Sequence, residues 1–347
     1  MREKTVLPGL AFPELEVFVK AQGEPAYRAR QLNDWLNKGA DFEDMRNLPG
    51  GLMEKLRETA IARPADILSH QRSRTDGTEK YLFSLADGHC VEGVLMRYHH
   101  GLTLCLSTQV GCRMGCAFCA STLEGRLRDL KAGEMVGMLT LVNRMCGPER
   151  VHNLVLMGSG EPLDNYDEVL RFLRLITSPE GLNIGARRIS LSTCGLPEKM
   201  RSLAREGPPV TLSVSLHAPN DQIRRTIMPI ARAVSMEALL AACRDYAQVT
   251  GRRVVFEYAL IHGVNAAPDQ ALELARRLRG MLCHVNLIPL NDVPERDLRA
   301  ASKEEVAAFR QTLENAGISA TIRREMGADI SGACGQLRAQ YLKNPVI

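Results

Sequence analysis

From Gly101 onward the chain repeats one pattern: a short apolar stretch, a turn, then a longer stretch with apolar residues at helical spacing. The apolar stretches fall at 102–107, 153–157, 188–192, 211–216, 254–261 and 284–290, with a last one at 318–323. Helical periodicity covers 132–144, 166–176, 197–205, 236–249, 268–279 and 303–315. Strands that alternate with helices over short loops are parallel, are joined by right-handed crossovers, and need a helix over each apolar face. This part of the chain is therefore restricted to an α/β sheet or barrel. About six such units fall short of the eight that close a standard barrel. The pattern predicts a partial (β/α)6 barrel with its mouth at the carboxyl ends of the strands.

Folds of this kind gather their chemistry at those ends. The first strand runs into Gln109-Val-Gly-Cys-Arg-Met-Gly-Cys-Ala-Phe-Cys119, which sets Cys112, Cys116 and Cys119 in a CxxxCxxC array. A structural zinc site closes with four N or S ligands, whereas three thiolates leave a position open. In a [4Fe-4S] cluster they would bind three irons and leave the fourth for an exchangeable ligand. A zinc site completed by a distant Cys or His, or simply buried thiols, are the other readings of the spacing. Along the same rim come Gly158-Ser-Gly-Glu161, Ser192 with Thr193, Ser215-Leu216-His217, and Asn291. Singly, these could be turn glycines, a core histidine and a turn asparagine. Together, at one rim, they argue for a site.

The region before the repeat reads differently. Short helices are expected at 14–22, 26–37 and 51–59, broken by Gly23, Pro25, Gly39 and Pro49-Gly50-Gly51. Trp35, Leu32 and Leu36 share a helical face and are expected to pack a small core. From 80 to 98 the period becomes that of strands, turned at Asp87-Gly88, which predicts a hairpin. Glu92 falls in its second strand, where alternation would turn a carboxylate to solvent. The expected division is a helical accessory domain at 1–60, a linker and β-hairpin at 61–98, and the partial barrel at 99–347. The last part carries a small-residue loop, Gly332-Ala-Cys334-Gly335.

Forty-four Lys and Arg against forty Asp and Glu permit an RNA partner without arguing for one. Residues 1–21 lack a charged segment followed by an apolar one, and no apolar run approaches the roughly 18 residues of a membrane span. The expectation is a cytoplasmic protein with no membrane partner. Its ten cysteines are then reduced by default, and an oxygen-sensitive cluster is admissible.

The cysteine array, with Phe118 before its last member, resembles the signature of radical S-adenosylmethionine (SAM) enzymes. Longer stretches resemble one group among them, the radical SAM RNA methyltransferases of the RlmN and Cfr group. They are Glu24-Pro-Ala-Tyr-Arg-Ala-Arg-Gln-Leu32, Cys105-Leu-Ser-Thr-Gln-Val-Gly-Cys112, Met157-Gly-Ser-Gly-Glu-Pro-Leu163, Ser215-Leu-His-Ala-Pro-Asn220, His284-Val-Asn-Leu-Ile-Pro-Leu-Asn291 and Asp329-Ile-Ser-Gly-Ala-Cys-Gly-Gln-Leu337. Gly160-Glu-Pro-Leu163 and Ser192-Thr-Cys-Gly-Leu196 are closer to RlmN, which methylates adenine carbon 2, than to Cfr, which targets carbon 8. One departure is Ala231 in Met228-Pro-Ile-Ala231, where many relatives have Asn.

The resemblance implies that Cys112, Cys116 and Cys119 hold a [4Fe-4S] cluster. Gly160, Glu161, Ser192, Ser215, Leu216, His217 and Asn291 would line SAM, of which two are used per turnover. It further implies that Cys334 becomes S-methylated, that Cys105 resolves the adduct by forming a disulfide with it, and that Glu92 accepts a proton. The implied substrates are 23S ribosomal RNA near the peptidyl-transferase centre and the adenine beside the anticodon of transfer RNA. Flavodoxin or a similar protein would supply electrons, and a monomer is expected. The rival readings are a carbon 8 methyltransferase and a non-catalytic metal-containing RNA-binding protein.

Overall fold

The computed structural model describes residues 4–290 and 298–330, so Asn291 and Cys334 lie outside the described residues. Ten strands form one sheet, each beside its neighbour in sequence. They are β1 (Ala65–Arg72), β2 (Glu79–Leu85), β3 (Cys90–Tyr98), β4 (Gly101–Leu106), β5 (Val151–Leu156), β6 (Ile189–Thr193), β7 (Thr211–Ser215), β8 (Val254–Leu260), β9 (Cys283–Pro289) and β10 (Ala320–Ile322). Pairing is antiparallel from β1 to β4 and parallel from β4 to β10. Helices α1 (Phe12–Ala21), α2 (Tyr27–Leu36) and α3 (Gly50–Thr59) precede the sheet. The crossovers of the parallel part carry α4 (Ala132–Met145), α5 (Tyr166–Thr177), α6 (Pro197–Glu206), α7 (Asp221–Ile227), α8 (Met236–Thr250), α9 (Pro268–Leu278) and α10 (Lys303–Asn315). β1 and β10 are the sheet edges, so the barrel is open, as the shortage of units predicts. No helix among the described residues is long and apolar enough to cross a membrane.

Alternation along the parallel strands separates two faces. Leu104, Leu106, Leu154, Leu156, Leu191, Leu212, Val214, Phe256 and Leu287 are fully buried in the core beneath the helices. The residues between them, Ser192, Ser213, Ser215, Glu257 and Asn286, give the other face a polar lining. A purely structural sheet would leave such groups outside, so the inner face is where function has room.

The expected hairpin is present as β2 and β3, and a further strand, β1, pairs with it. β1, with Ser69, His70, Gln71 and Arg72 in its second half, carries too weak an apolar signal to read as a strand. It is stabilised as one by pairing along β2. The N-terminal helices enclose their own core around Leu15, Val19, Leu32, Leu52 and Leu56, with Trp35 packed at its margin. Gly39, at φ +65°, lets this unit approach α4: a Cβ there would meet the Thr140 carbonyl oxygen at 2.6 Å.

Candidate active site

β4 feeds directly into the cysteine loop, whose two ends are tied together by pairing of Gln109–Gly111 with Arg126–Asp129. Gly111 is required there, since its φ is +76° and a Cβ would lie 1.9 Å from the Gly125 carbonyl oxygen. The Cys112 amide donates to that carbonyl at 3.0 Å and the Ala117 amide to Ile227 at 2.8 Å. The Thr122 hydroxyl donates to the Cys119 carbonyl at 2.9 Å. Cys112 and Cys116 are buried and Cys119 is half-buried. Burial pushes the Cys112 thiol up to about 12. Cys116 is raised too, by burial first and then by Cys119 and Cys112, so the three sulfurs repel one another as thiolates. A multi-iron cluster relieves that repulsion and presents its cysteine positions at separate corners. Among the described residues no three of His, Cys, Asp and Glu converge on a point that one ion could share. Three thiols carried on one loop are the donor set that an iron-sulfur cluster takes.

The thiols open onto a cleft of about 210 Å³ that also contains Gly160, Glu161, Ser192, Ser215 and His217. Leu216 is not on its wall; the side chain packs in the core and the residue offers only backbone. Glu161 is fully buried, which raises its carboxyl, and amides counter this. Its oxygens accept from Leu163 at 3.0 Å and Cys194 at 2.7 Å, stapling the loop after β5 to the end of β6. Gly160 has φ +110°, and a Cβ would meet the Gln109 nitrogen and the Thr108 hydroxyl at 2.8 Å. Gly160→Ala is therefore expected to push this loop off the cysteine strand. It should destabilise the protein by about 2 kcal/mol and weaken SAM binding in calorimetric titration at least tenfold.

His217 sits at φ 53°, an uncommon conformation for a non-glycine residue. It is held there by Asn265, whose amide donates to the carbonyls of His217 and Ala259, both at 2.7 Å. Its Nδ1 accepts from the Ala259 amide at 2.9 Å, and Phe118 meets the ring edge-on at 4.6 Å. Burial, then the nearby Arg224 cation, lower its titration to about 3, so the ring is neutral at ordinary pH. The plain reading, a satisfied core histidine, and the functional one coincide: its hydrogen bond is met and it still borders the cleft.

Sequence reasoning missed several groups. Cys194 lines the cleft, as do Glu257 and Arg323. Glu257 is buried, which raises its carboxyl, and it accepts from Asn286 at 2.8 Å. A carboxylate inside the apolar run 254–261 was the available signal. Arg224 is fully buried and donates to the carbonyls of Cys194 at 2.6 Å and Leu216 at 3.2 Å, with Nη1 lacking a partner. This cation lies behind the cysteine loop, where a cluster of negative sulfurs would stand.

Cys105 and Glu92 lie on the inner face, neither of them on the wall of this cleft. Cys105 is buried with Val94 and Met96, and Met157, which borders the cleft, packs on the same group. Glu92 is only 3% exposed. The expectation that alternation turns it to solvent is corrected, because this face of β3 is covered. Met326, after β10, also packs on the Cys105 group. The chain there is fastened to the β1–β2 turn by two reciprocal bonds: the Gly327 amide donates to Asp76 at 2.8 Å and the Arg74 amide to Asp329 at 2.9 Å. A larger cavity, about 590 Å³, lies between α2 and α5. It borders no cysteine, and Arg171 on its wall is already engaged by Glu14 and the Gly9 carbonyl.

Two family models match the chain. One, described as the radical SAM superfamily, matches residues 106–275; the other, the ribosomal RNA large subunit methyltransferase N-terminal domain, matches residues 5–62. The chain is similar to the probable dual-specificity RNA methyltransferase RlmN of Lachnospira eligens, at 49% identity over 98% of this chain and 97% of the relative. It is similar to that of Alkaliphilus oremlandii at 50% identity, covering 99% and 100%. Among solved structures, a radical SAM methyltransferase from Sphaerobacter thermophilus superposes with a TM-score of 0.93 at 44% identity, over 96% of this chain and 99% of that one.

Proposed function

The chain belongs to the RlmN family of radical SAM RNA methyltransferases, and from that premise we propose that it methylates carbon 2 of adenine in both 23S ribosomal RNA and transfer RNA. The sites would be the peptidyl-transferase centre and the adenine beside the anticodon. The carrying observation is near full-length identity at about half of all positions, spanning the N-terminal unit as well as the barrel. Membership implies a [4Fe-4S] cluster and SAM.

Carbon 2 of adenine has no lone pair with which to attack a methyl donor, so ordinary displacement fails. Cys112, Cys116 and Cys119 would hold the cluster, which when bound would supply the one-electron chemistry that cleaves SAM reductively. The chain's own residues do the rest. Gly160 and Glu161 would meet the methionine end of SAM, with Ser192, Ser215, Leu216, His217 and Asn291 along its length. Cys334 takes a methyl group as a thiolate nucleophile and carries it as a thioether, from which a hydrogen is removed before the carbon joins the base. Glu92 accepts the proton that leaves carbon 2. Cys105 then attacks the Cys334 sulfur: the sulfur–sulfur bond forms, the sulfur–carbon bond breaks, the carbon takes a proton to become methyl, and the one odd electron left by the radical addition goes to a one-electron acceptor, a role the oxidised cluster would fill. Supporting these roles are the gathering of the thiols, Glu161, Ser192, Ser215 and His217 around one cleft and the contact of the Cys105 group with Met157 at its edge.

Two SAM molecules are consumed per turnover, one for the methyl and one for the radical. An electron donor of the flavodoxin kind reduces the cluster. The 1–60 unit grips RNA, and the enzyme takes the target base out of its stack, which favours a loop adenine. The test is anaerobic reconstitution with iron, sulfide, SAM, dithionite and an RNA fragment, followed by mass spectrometry of the digested RNA. Expected are 5′-deoxyadenosine and 2-methyladenosine. A product methylated at carbon 8 would move the assignment to the Cfr side, and absence of both products would overturn it.

A further inference from the structure

Beside Glu92 the structure buries a second charge. Lys80 on β2 is fully enclosed, and its Nζ lies 3.5 Å from Glu92 Oε2. The register explains the pairing. Lys80 stands opposite Val94, Leu82 opposite Glu92, and Val94 opposite Cys105. Lys80 and Glu92 are thus diagonal neighbours on one face, within reach for a long side chain. Lys80, Val94, Cys105 and Val155 form one row across four strands. At the usual strand spacing, the Lys80 and Cys105 backbones stand roughly 10 Å apart.

We propose that Lys80 is a positioning residue for the proton-accepting step, holding the Glu92 side chain aimed along the inner face toward the Cys105 end of the sheet. This rests on the reading of Glu92 as proton acceptor. In that step the carbon 2–hydrogen bond breaks heterolytically: the proton goes to a Glu92 oxygen and the electron pair stays on the ring. Only a carboxylate can accept it. Glu92 faces Leu82 across the ladder and lies between Cys90 and Val94 along its strand, so Lys80 is the charged side chain that shares its face at hydrogen-bond range. The Lys80 Nζ at 3.5 Å limits the directions in which the Glu92 carboxylate points.

Stability alone does not account for the arrangement, because buried ion pairs are often no better than well-packed apolar residues of similar volume. The backbone is braced as well. Ser107 Oγ donates to the Glu92 carbonyl at 2.8 Å and accepts from the Ser159 amide at 3.2 Å. This ties the Glu92 position to the loop before Gly160.

The experiment follows single turnovers of the full-length reconstituted enzyme on an RNA fragment, timing formation and decay of the covalent enzyme–RNA adduct on denaturing gels. Lys80→Met is expected to form the adduct at the normal rate and to resolve it about a hundredfold more slowly, the lower range for loss of a general base. Lys80→Arg should recover most of that loss, which a packing role would not produce. Glu92→Gln should be at least as slow as Lys80→Met, and the double variant no slower than Glu92→Gln. If Glu92→Gln resolves the adduct normally, the role of Glu92 fails and this inference with it. If Glu92→Gln traps the adduct but Lys80→Met resolves it normally, or Lys80→Arg gives no recovery, only the inference is overturned. Should Lys80→Met not fold, the double variant, which buries no charge, decides. Resolution slower than in Glu92→Gln alone would overturn a role exerted through Glu92, and equal rates would uphold it.

Discussion

Cys105→Ala is expected to leave the enzyme joined to its RNA. Resolution needs a second sulfur to attack Cys334, and Cys105 is the one to which the proposed mechanism gives that role. Its neighbours are Val94, Met96 and Val155, so no other thiol of that group takes over. Product release should fall on the order of a thousandfold or more, as when a positioned nucleophile is removed, while 5′-deoxyadenosine still forms in the first turnover. On a denaturing gel the variant should run as a protein–RNA species that collapses to protein after nuclease digestion. The structural cost is small: truncating one buried sulfur resembles a minor core deletion of about 1 kcal/mol, so a melting curve close to wild type should accompany the trapped species. Normal release of methylated RNA by this variant would take Cys105 out of the mechanism.

How much of this was legible before the fold was in view depends on whether a residue's meaning is carried by spacing or by what packs against it. The parallel strands were legible because period 2 and period 3.6 alternate without interruption after Gly101. The cysteine array was legible because three thiols within eight residues of loop have few structural uses. Glu92 was misplaced. An antiparallel strand normally shows water one face, and only the whole sheet reveals that this face of β3 is enclosed. Lys80 could not be singled out at all, since an isolated lysine in a strand reads as solvent-facing until its diagonal partner is known. Arg224 escaped for a similar reason. Its role is to satisfy carbonyls at the ends of two strands, and that need exists only once the strands are side by side. β1 escaped because its pairing with β2, and not its composition, makes it a strand.

The second large effect is expected at the cysteine loop, where Cys116→Ala should abolish iron incorporation and SAM cleavage together. Cys116 is the thiol to test because it is buried against Cys194, Ile227 and Met228, and because its loop is pinned to Ile227 by the Ala117 amide. Removing the sulfur leaves that scaffold in place, so the apoprotein should fold and melt within about 1 kcal/mol of wild-type apoprotein. What changes is the gain on loading. A group that binds only the folded chain stabilises it in proportion to the logarithm of its saturation, about 2.7 kcal/mol at a hundredfold excess over its dissociation constant. Reconstitution should therefore raise the melting temperature of wild type and leave Cys116→Ala where it was, with iron per chain and 5′-deoxyadenosine both near zero. Two outcomes separate the readings of the array. If zinc alone raised the wild-type melting temperature as much as iron and sulfide do, the three thiols would be a structural metal site. If Cys116→Ala kept the cluster, a ligand other than these three cysteines would have to hold it. The expected result is neither, because the three thiols share one cleft with Glu161, Ser192 and His217 and membership of the radical SAM superfamily implies a [4Fe-4S] cluster and SAM.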